Sequence, residues 1–157
     1  MARWAAAGGT VAPVPAILVV TAALAACEPP DPSLIPDEIL QSELGLTPDD
    51  RVHTVRLTTG VAERADPDSL TVRPGDYVQF VSADRLVHEV AFVLDNVPET
   101  ARTFLVRTGQ DRSTPLLELD ARFVVSFEGA PQGPYPYALA GNRGSGEGRI
   151  FVAVPPG

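Results

Sequence analysis

Two histidines (His53 and His88), one cysteine (Cys27) and one methionine (Met1) are all the imidazole and sulfur that this 157-residue chain offers. Imidazole binds metals and carries protons near neutral pH; thiolate binds metals or attacks electrophiles. His88 opens the alternating apolar run 88-HEVAF-92, and His53 lies in a second run with Val52, Val55 and Leu57. Each histidine also has a plain structural role open to it. His88 reads as a partly buried strand-end residue bonded to a nearby loop, and His53 as a solvent-facing strand residue. A copper or zinc site from His53, His88 and Glu147 requires the three to converge, which their spacing does not demand. The remaining candidates offer less. Ser113, Ser126 and Ser145 lack the glycine-flanked elbow of a hydrolase nucleophile. The run 144-GSGEG-148 lacks the lysine and helix of a phosphate loop and reads as a flexible turn. Tyr135 and Tyr137, two apart, share one strand face and read as core. Asp49 and Asp50 read as solvated surface. No enzyme is expected.

The elements that position these residues are short strands. Runs rich in Val, Phe and Tyr and bounded by Pro, Gly, Asp or Asn occur at 52–59, 69–82 (broken by Pro74-Gly75), 86–93, 121–129, 134–140 and 148–154. Two stretches read as helix. In 37–45, Asp37 serves as the cap, Ile39, Leu40 and Leu44 as one face and Gly45 as the stop. In 98–109, Pro98 fits the first helical position, Ala101, Phe104 and Leu105 form a stripe and Gly109 ends it. Many short strands with regular turn signals predict a β-sandwich or small barrel. Apolar residues make up 45% and charged residues 20%, a globular balance. The formal charge of -8 argues against nucleic acid as a partner, because phosphates call for a basic surface.

The N-terminus speaks to compartment. Arg3 precedes the apolar run 16-AILVVTAALAA-26, which is shorter than the roughly 20 residues that span a bilayer. The run ends in 24-LAAC-27, which resembles the lipobox of bacterial lipoproteins: leucine, two small residues, cysteine. That resemblance implies a signal peptide over 1–26 and a diacylglyceryl group on Cys27. Glu28, where an aspartate would mean inner-membrane retention, points to the outer membrane under the enterobacterial sorting rule. After cleavage, Met1 and Trp4 are gone and the single cysteine is committed to lipid, so no disulfide can form. Residues 27–50 then read as a Pro- and acid-rich tether with a short helix, and 51–157 as the folded domain.

One segment carries a family signal. In 67-PDSLTVRPGDYVQFVSADRLVHEVAF-92 an apolar strand, a Pro-Gly-Asp turn, an aromatic strand and a polar loop lead to His88. The end of the chain, 127-FEGAPQGPYPYALAGNRGSGEGRIFVAV-154, has a Tyr-x-Tyr strand and a closing Gly-x-Ile strand. Together these resemble the cupredoxins, the blue copper proteins such as plastocyanin and amicyanin. The resemblance implies an all-β, Greek-key sandwich with a helical insertion near 98–108. It also implies that His88 stands at the first copper-ligand position. The same alignment places Leu139 at the cysteine ligand, Asn142 at the second histidine and Glu147 near the axial methionine. A blue copper site needs a thiolate, and leucine has no lone pair to give. The expected protein is therefore a lipid-anchored, extracytoplasmic, cupredoxin-like domain without type 1 copper, a non-catalytic binding or structural module. Its partners would be the membrane, through Cys27, and an envelope protein. Two other readings stay open: copper-dependent electron transfer of the plastocyanin/azurin type, and a type 2-like copper or zinc site at His88.

Overall fold

The structure is a computed structural model and describes residues 31–154. Cys27, Glu28 and the signal-peptide segment lie outside the described residues. Eight strands form two four-stranded sheets. In chain order they are β1 (Val52–Thr59), β2 (Glu63–Asp66), β3 (Ser69–Val72), β4 (Tyr77–Ser82), β5 (His88–Phe92), β6 (Arg122–Ser126), β7 (Gly133–Gly141) and β8 (Gly144–Val152). The first sheet has the order β2-β1-β4-β6 and the second β3-β8-β7-β5. β1 runs parallel to β4 and β3 parallel to β8, while the other neighbours are antiparallel. Strands distant in sequence are thus neighbours in space, and the chain passes between sheets after β2, β3, β4, β5 and β6. This is the Greek-key sandwich that the resemblance implies, and the sandwich rather than the small barrel of the two architectures that the strand pattern allows. No described helix is long and apolar enough to cross a membrane.

Alternation along the strands builds the core. Val55, Leu57, Val78, Phe80 and Val125 face inward from the first sheet; Val90, Phe92, Tyr135, Tyr137, Leu139 and Ile150 meet them from the second. Tyr135 and Tyr137 are buried, as their spacing predicts, and Phe80 meets the Tyr137 ring edge-on at 5.0 Å between centroids. Burying an aromatic ring of this size contributes about 1.5–3 kcal/mol, so these inward rings weigh heavily in the stability of the sandwich.

Two helices flank it. α1 (Glu38–Leu44) begins where the Asp37 carboxylate accepts a 2.9 Å hydrogen bond from the Leu40 N–H, and ends at Gly45 in the left-handed conformation. Its packing is narrower than the sequence predicts. Leu40 alone is buried, with Leu46, against Val52, Tyr77 and Val124 on the outer face of the first sheet; Ile39 and Leu44 are exposed. The segment before it is folded too. Residues Pro32–Leu34 form a 3-10 turn capped by Asp31, and an Arg122–Asp37 ion pair of 2.6 Å ties the entry of α1 to β6. The expected extended tether is therefore folded onto the sandwich from residue 31 onward. α2 (Glu99–Thr108) buries Ala101, Phe104 and Leu105 and stops at Gly109, as predicted, although Pro98 is the N-cap rather than the first helical residue. Beyond α2 the chain lies along the free edge of β5. Phe92 and Ser113 N–H groups donate across this edge to Asp111 and Val90 carbonyls, both at 2.8 Å. This segment blocks the sheet edge from pairing with another chain.

Candidate functional site

His88 is the first residue of β5, on the inner face with Val90 and Phe92. Its backbone is held on both sides, opposite Gly141 of β7 and by two hydrogen bonds with Leu116, 3.1 Å from its N–H and 2.8 Å to its C=O. The side chain is 1% exposed. Both ring nitrogens face carboxylates: Nδ1 lies 2.7 Å from Glu63 Oε2, and Nε2 lies 2.9 Å from Asp84 Oδ1. Glu63 is the first residue of β2 and its side chain is fully buried. Its second oxygen accepts from the Thr59 hydroxyl at 2.9 Å. Asp84, in the β4–β5 loop, accepts from the Leu86 N–H and the Thr59 N–H, both at 2.8 Å. Thr59, Glu63, His88 and Asp84 thus close a ring of hydrogen bonds across the end of the core. Burial pushes the Asp84 carboxyl up, but the Thr59 and Leu86 N–H groups and His88 outweigh it and hold it below the usual carboxylate range.

This ring has a chemical consequence. Ionised carboxylates only accept, so both contacts are hydrogen bonds to carboxylate when both imidazole nitrogens carry hydrogen. In that state the ring has no lone pair for a metal. Binding one would require displacing Glu63 or Asp84 and leaving a carboxylate without its partner, which is costly for the buried Glu63.

The glycines of β8 make room for Glu63. On β8 the even positions face inward, and Gly146 and Gly148 stand where larger residues would fill the space. A Cβ at Gly146 would collide with the Glu63 carbonyl, and one at Gly141 with the Glu63 carboxylate and the Val87 carbonyl. A Cβ at Gly148 would collide with the Tyr137 hydroxyl. The sequence reading of 144-GSGEG-148 as a flexible turn is therefore corrected. These residues are strand, paired with β7 from Gly141↔Gly144 through Tyr137↔Gly148, and the glycines mark a close approach of β2.

The same pairing decides the fate of the other aligned positions. β7 and β8 run into a hairpin whose turn holds only Asn142 and Arg143, so no loop stands over His88 from this side. Leu139 is 2% exposed and packs in the core opposite Val90 and Gly146. Asn142 is exposed in the turn, and Glu147 is exposed opposite Ala138. The structure does not bring Leu139, Asn142 and Glu147 together around His88.

His53 lies at the opposite end. It shares the inner face of β1 with Val55 and Leu57, six residues before Thr59, or about 20 Å along an extended strand. It is not the solvent-facing residue that the sequence suggests: its side chain is 11% exposed and its Nε2 is 2.8 Å from Asp76 Oδ2. Asp76 also accepts from the Arg73 N–H at 3.0 Å and sits 3.5 Å from Arg51 Nε. Burial raises its carboxyl, while His53, the Arg73 N–H and Arg51 outweigh that and lower it. His53, His88 and Glu147 do not converge, and among the described residues no group of three or more His, Cys, Asp or Glu is arranged to hold a metal ion.

The donors present do not fit a type 1 copper centre. Leucine occupies the thiolate position within the core, the second-histidine position is an exposed asparagine in a tight turn, and the one imidazole has both nitrogens engaged.

The fold is cupredoxin-like. No family model matches the chain, and no curated protein matches it significantly. Among solved structures, oxidized plastocyanin from Dryopteris crassirhizoma is similar at 19% identity and a TM-score of 0.46, covering 64% of this chain and 99% of that one. A purple cupredoxin from Nitrosopumilus maritimus is similar at 20% identity and a TM-score of 0.44, with coverage of 64% and 99%. A copper-containing nitrite reductase from Thermus scotoductus is similar at 21% identity and a TM-score of 0.49, covering 70% of this chain and 24% of that one.

Sequence reasoning missed Glu63 and Asp84. β2 reads Glu-Arg-Ala-Asp and has no β-forming residue to reveal it. The available signal was the glycine at every second position of β8, which marks close approach of another backbone.

Proposed function

We propose that this protein is a lipid-anchored, extracytoplasmic cupredoxin-like domain that works without type 1 copper, as a non-catalytic binding or structural module of a bacterial envelope. One observation carries the reading: both nitrogens of His88 are engaged by the Glu63 and Asp84 carboxylates. A hydrogen-bonded cluster of one imidazole and two carboxylates stands where the resemblance puts a copper ligand, and it closes the end of the core. The lipobox 24-LAAC-27 supports attachment through Cys27, and Glu28 supports the outer membrane as destination. The rigid sandwich then acts by presenting its surface to an envelope protein rather than by transferring electrons.

The experiment is a Cu(II) titration of the purified protein, read by visible absorption and by metal content after dialysis. The expected result is no intense blue-region band and no copper retained in proportion to protein. A charge-transfer band, or one copper per chain surviving dialysis, would overturn the reading. Retention that disappears in His88→Ala would assign the metal to a type 2-like site there instead.

A further inference from the structure

We propose that the end of the sandwich at the start of β1 rests against the bilayer surface, and that the Glu63–His88–Asp84 end points away from it. This rests on the lipid anchor at Cys27 and adds an orientation to it. The described chain begins at Asp31, already fixed: its carboxylate caps the Pro32–Leu34 turn through the Ser33 N–H at 2.9 Å. Asp31, Leu34 and Ile35 line a small crevice with Pro48, Asp49, Asp50 and Arg51, immediately before β1. Four residue steps separate Asp31 from Cys27. At 3.8 Å between successive Cα atoms they reach about 15 Å at most. Two acyl chains on Cys27 give stable anchoring, so Asp31 and its neighbours are held within that distance of the headgroups.

β1 sets the opposite end. Its eight residues carry the chain from Val52 to Thr59, about 23 Å. Thr59 bonds both Glu63 and Asp84. The ring around His88, the Asn142-Arg143 turn that follows its partner Gly141, and the exposed Val61 between β1 and β2 therefore stand at the far end. Charge does not drive this placement. Asp31, Asp49 and Asp50 share the near end with Arg51, and the short covalent link imposes the contact. A long linker would leave the domain free to tumble; this one does not.

The thiol of Cys27 is consumed by lipid, so a single introduced cysteine in the lipidated full chain accepts one fluorophore. In vesicles containing headgroup-quencher lipids, the label in Asp49→Cys should be strongly quenched and the labels in Val61→Cys and Asn142→Cys at least several-fold less. Inserting about 20 Gly/Ser residues between 30 and 31 should erase that difference while the protein still floats with vesicles. Equal quenching at both ends, with lipid on Cys27 established by mass spectrometry, overturns the orientation alone. An unmodified Cys27 overturns the anchor and the orientation together.

Discussion

The two histidines close opposite ends of one core, and they do so at very different cost. At the far end His88 is 1% exposed and has a carboxylate on each ring nitrogen, one of them fully buried. At the near end His53 is 11% exposed and pairs through Nε2 with Asp76, which also has the Arg73 N–H and Arg51 beside it. A buried ion pair with its hydrogen bonds satisfied is tolerated, whereas removing one member leaves a charge without compensation. A partly exposed pair loses less, because water can replace the missing partner. The difference teaches that the His88 cluster is a structural unit, while the His53 pair is an adjustable contact at the rim.

Breaking the far cluster should give the largest effect. Glu63→Ala strips Nδ1 of its partner and opens a void beneath β8, and should cost about 3–5 kcal/mol by urea unfolding. In thermal melts this corresponds to a drop of roughly 10–20 °C. Replacing both members sharpens the comparison: the double variant Glu63→Leu, His88→Leu should lose clearly less than Glu63→Ala, since no unpaired buried charge remains. A double variant as unstable as the single one would mean that shape rather than charge holds the site together. Next in size is Gly146→Ala, which drives a methyl into the Glu63 carbonyl and should cost about 1–3 kcal/mol. At the near end His53→Ala should cost about 1 kcal/mol, the ordinary net value of a hydrogen bond, because Asp76 keeps the Arg73 N–H.

Acid should reveal the smallest difference. Asp84 and Asp76 both sit below the usual carboxylate range, so each favours the folded state above its unfolded value of about 4. That contribution fades as pH falls below about 4 through the folded values. In unfolding curves from pH 7 to pH 2, Asp84→Asn and Asp76→Asn should each be less stable than the parent at neutral pH and converge on it in acid. A gap that stays constant down to pH 2 would show that neither carboxylate is linked to folding through its charge.

The strands were legible because their cues are local. β1 occupies the predicted 52–59, α2 buries the predicted Ala101, Phe104 and Leu105, and the Asp37 cap and Gly45 stop of α1 follow from their own chemistry. Its apolar face was misjudged. Seven helical residues present Ile39 and Leu44 to solvent because the sheet beneath offers room for Leu40 alone. β2 was invisible for a related reason: four residues of charged, weakly β-forming sequence become strand because the edge of β1 pairs with them.

Composition and residue order by themselves determined the strand count to within one, the core placement of Tyr135 and Tyr137, and the scarcity of metal-binding side chains in the chain. These depend on alternation, turn residues and a census, which need no coordinates. Only the tertiary structure decided what His88 does. Glu63 lies 25 residues away and Asp84 on a loop, and they meet the imidazole because the Greek-key path brings β2 over the glycines of β8. Long-range pairing of that kind leaves no periodic trace in the sequence, so the histidine could be located by motif and understood only by its neighbours.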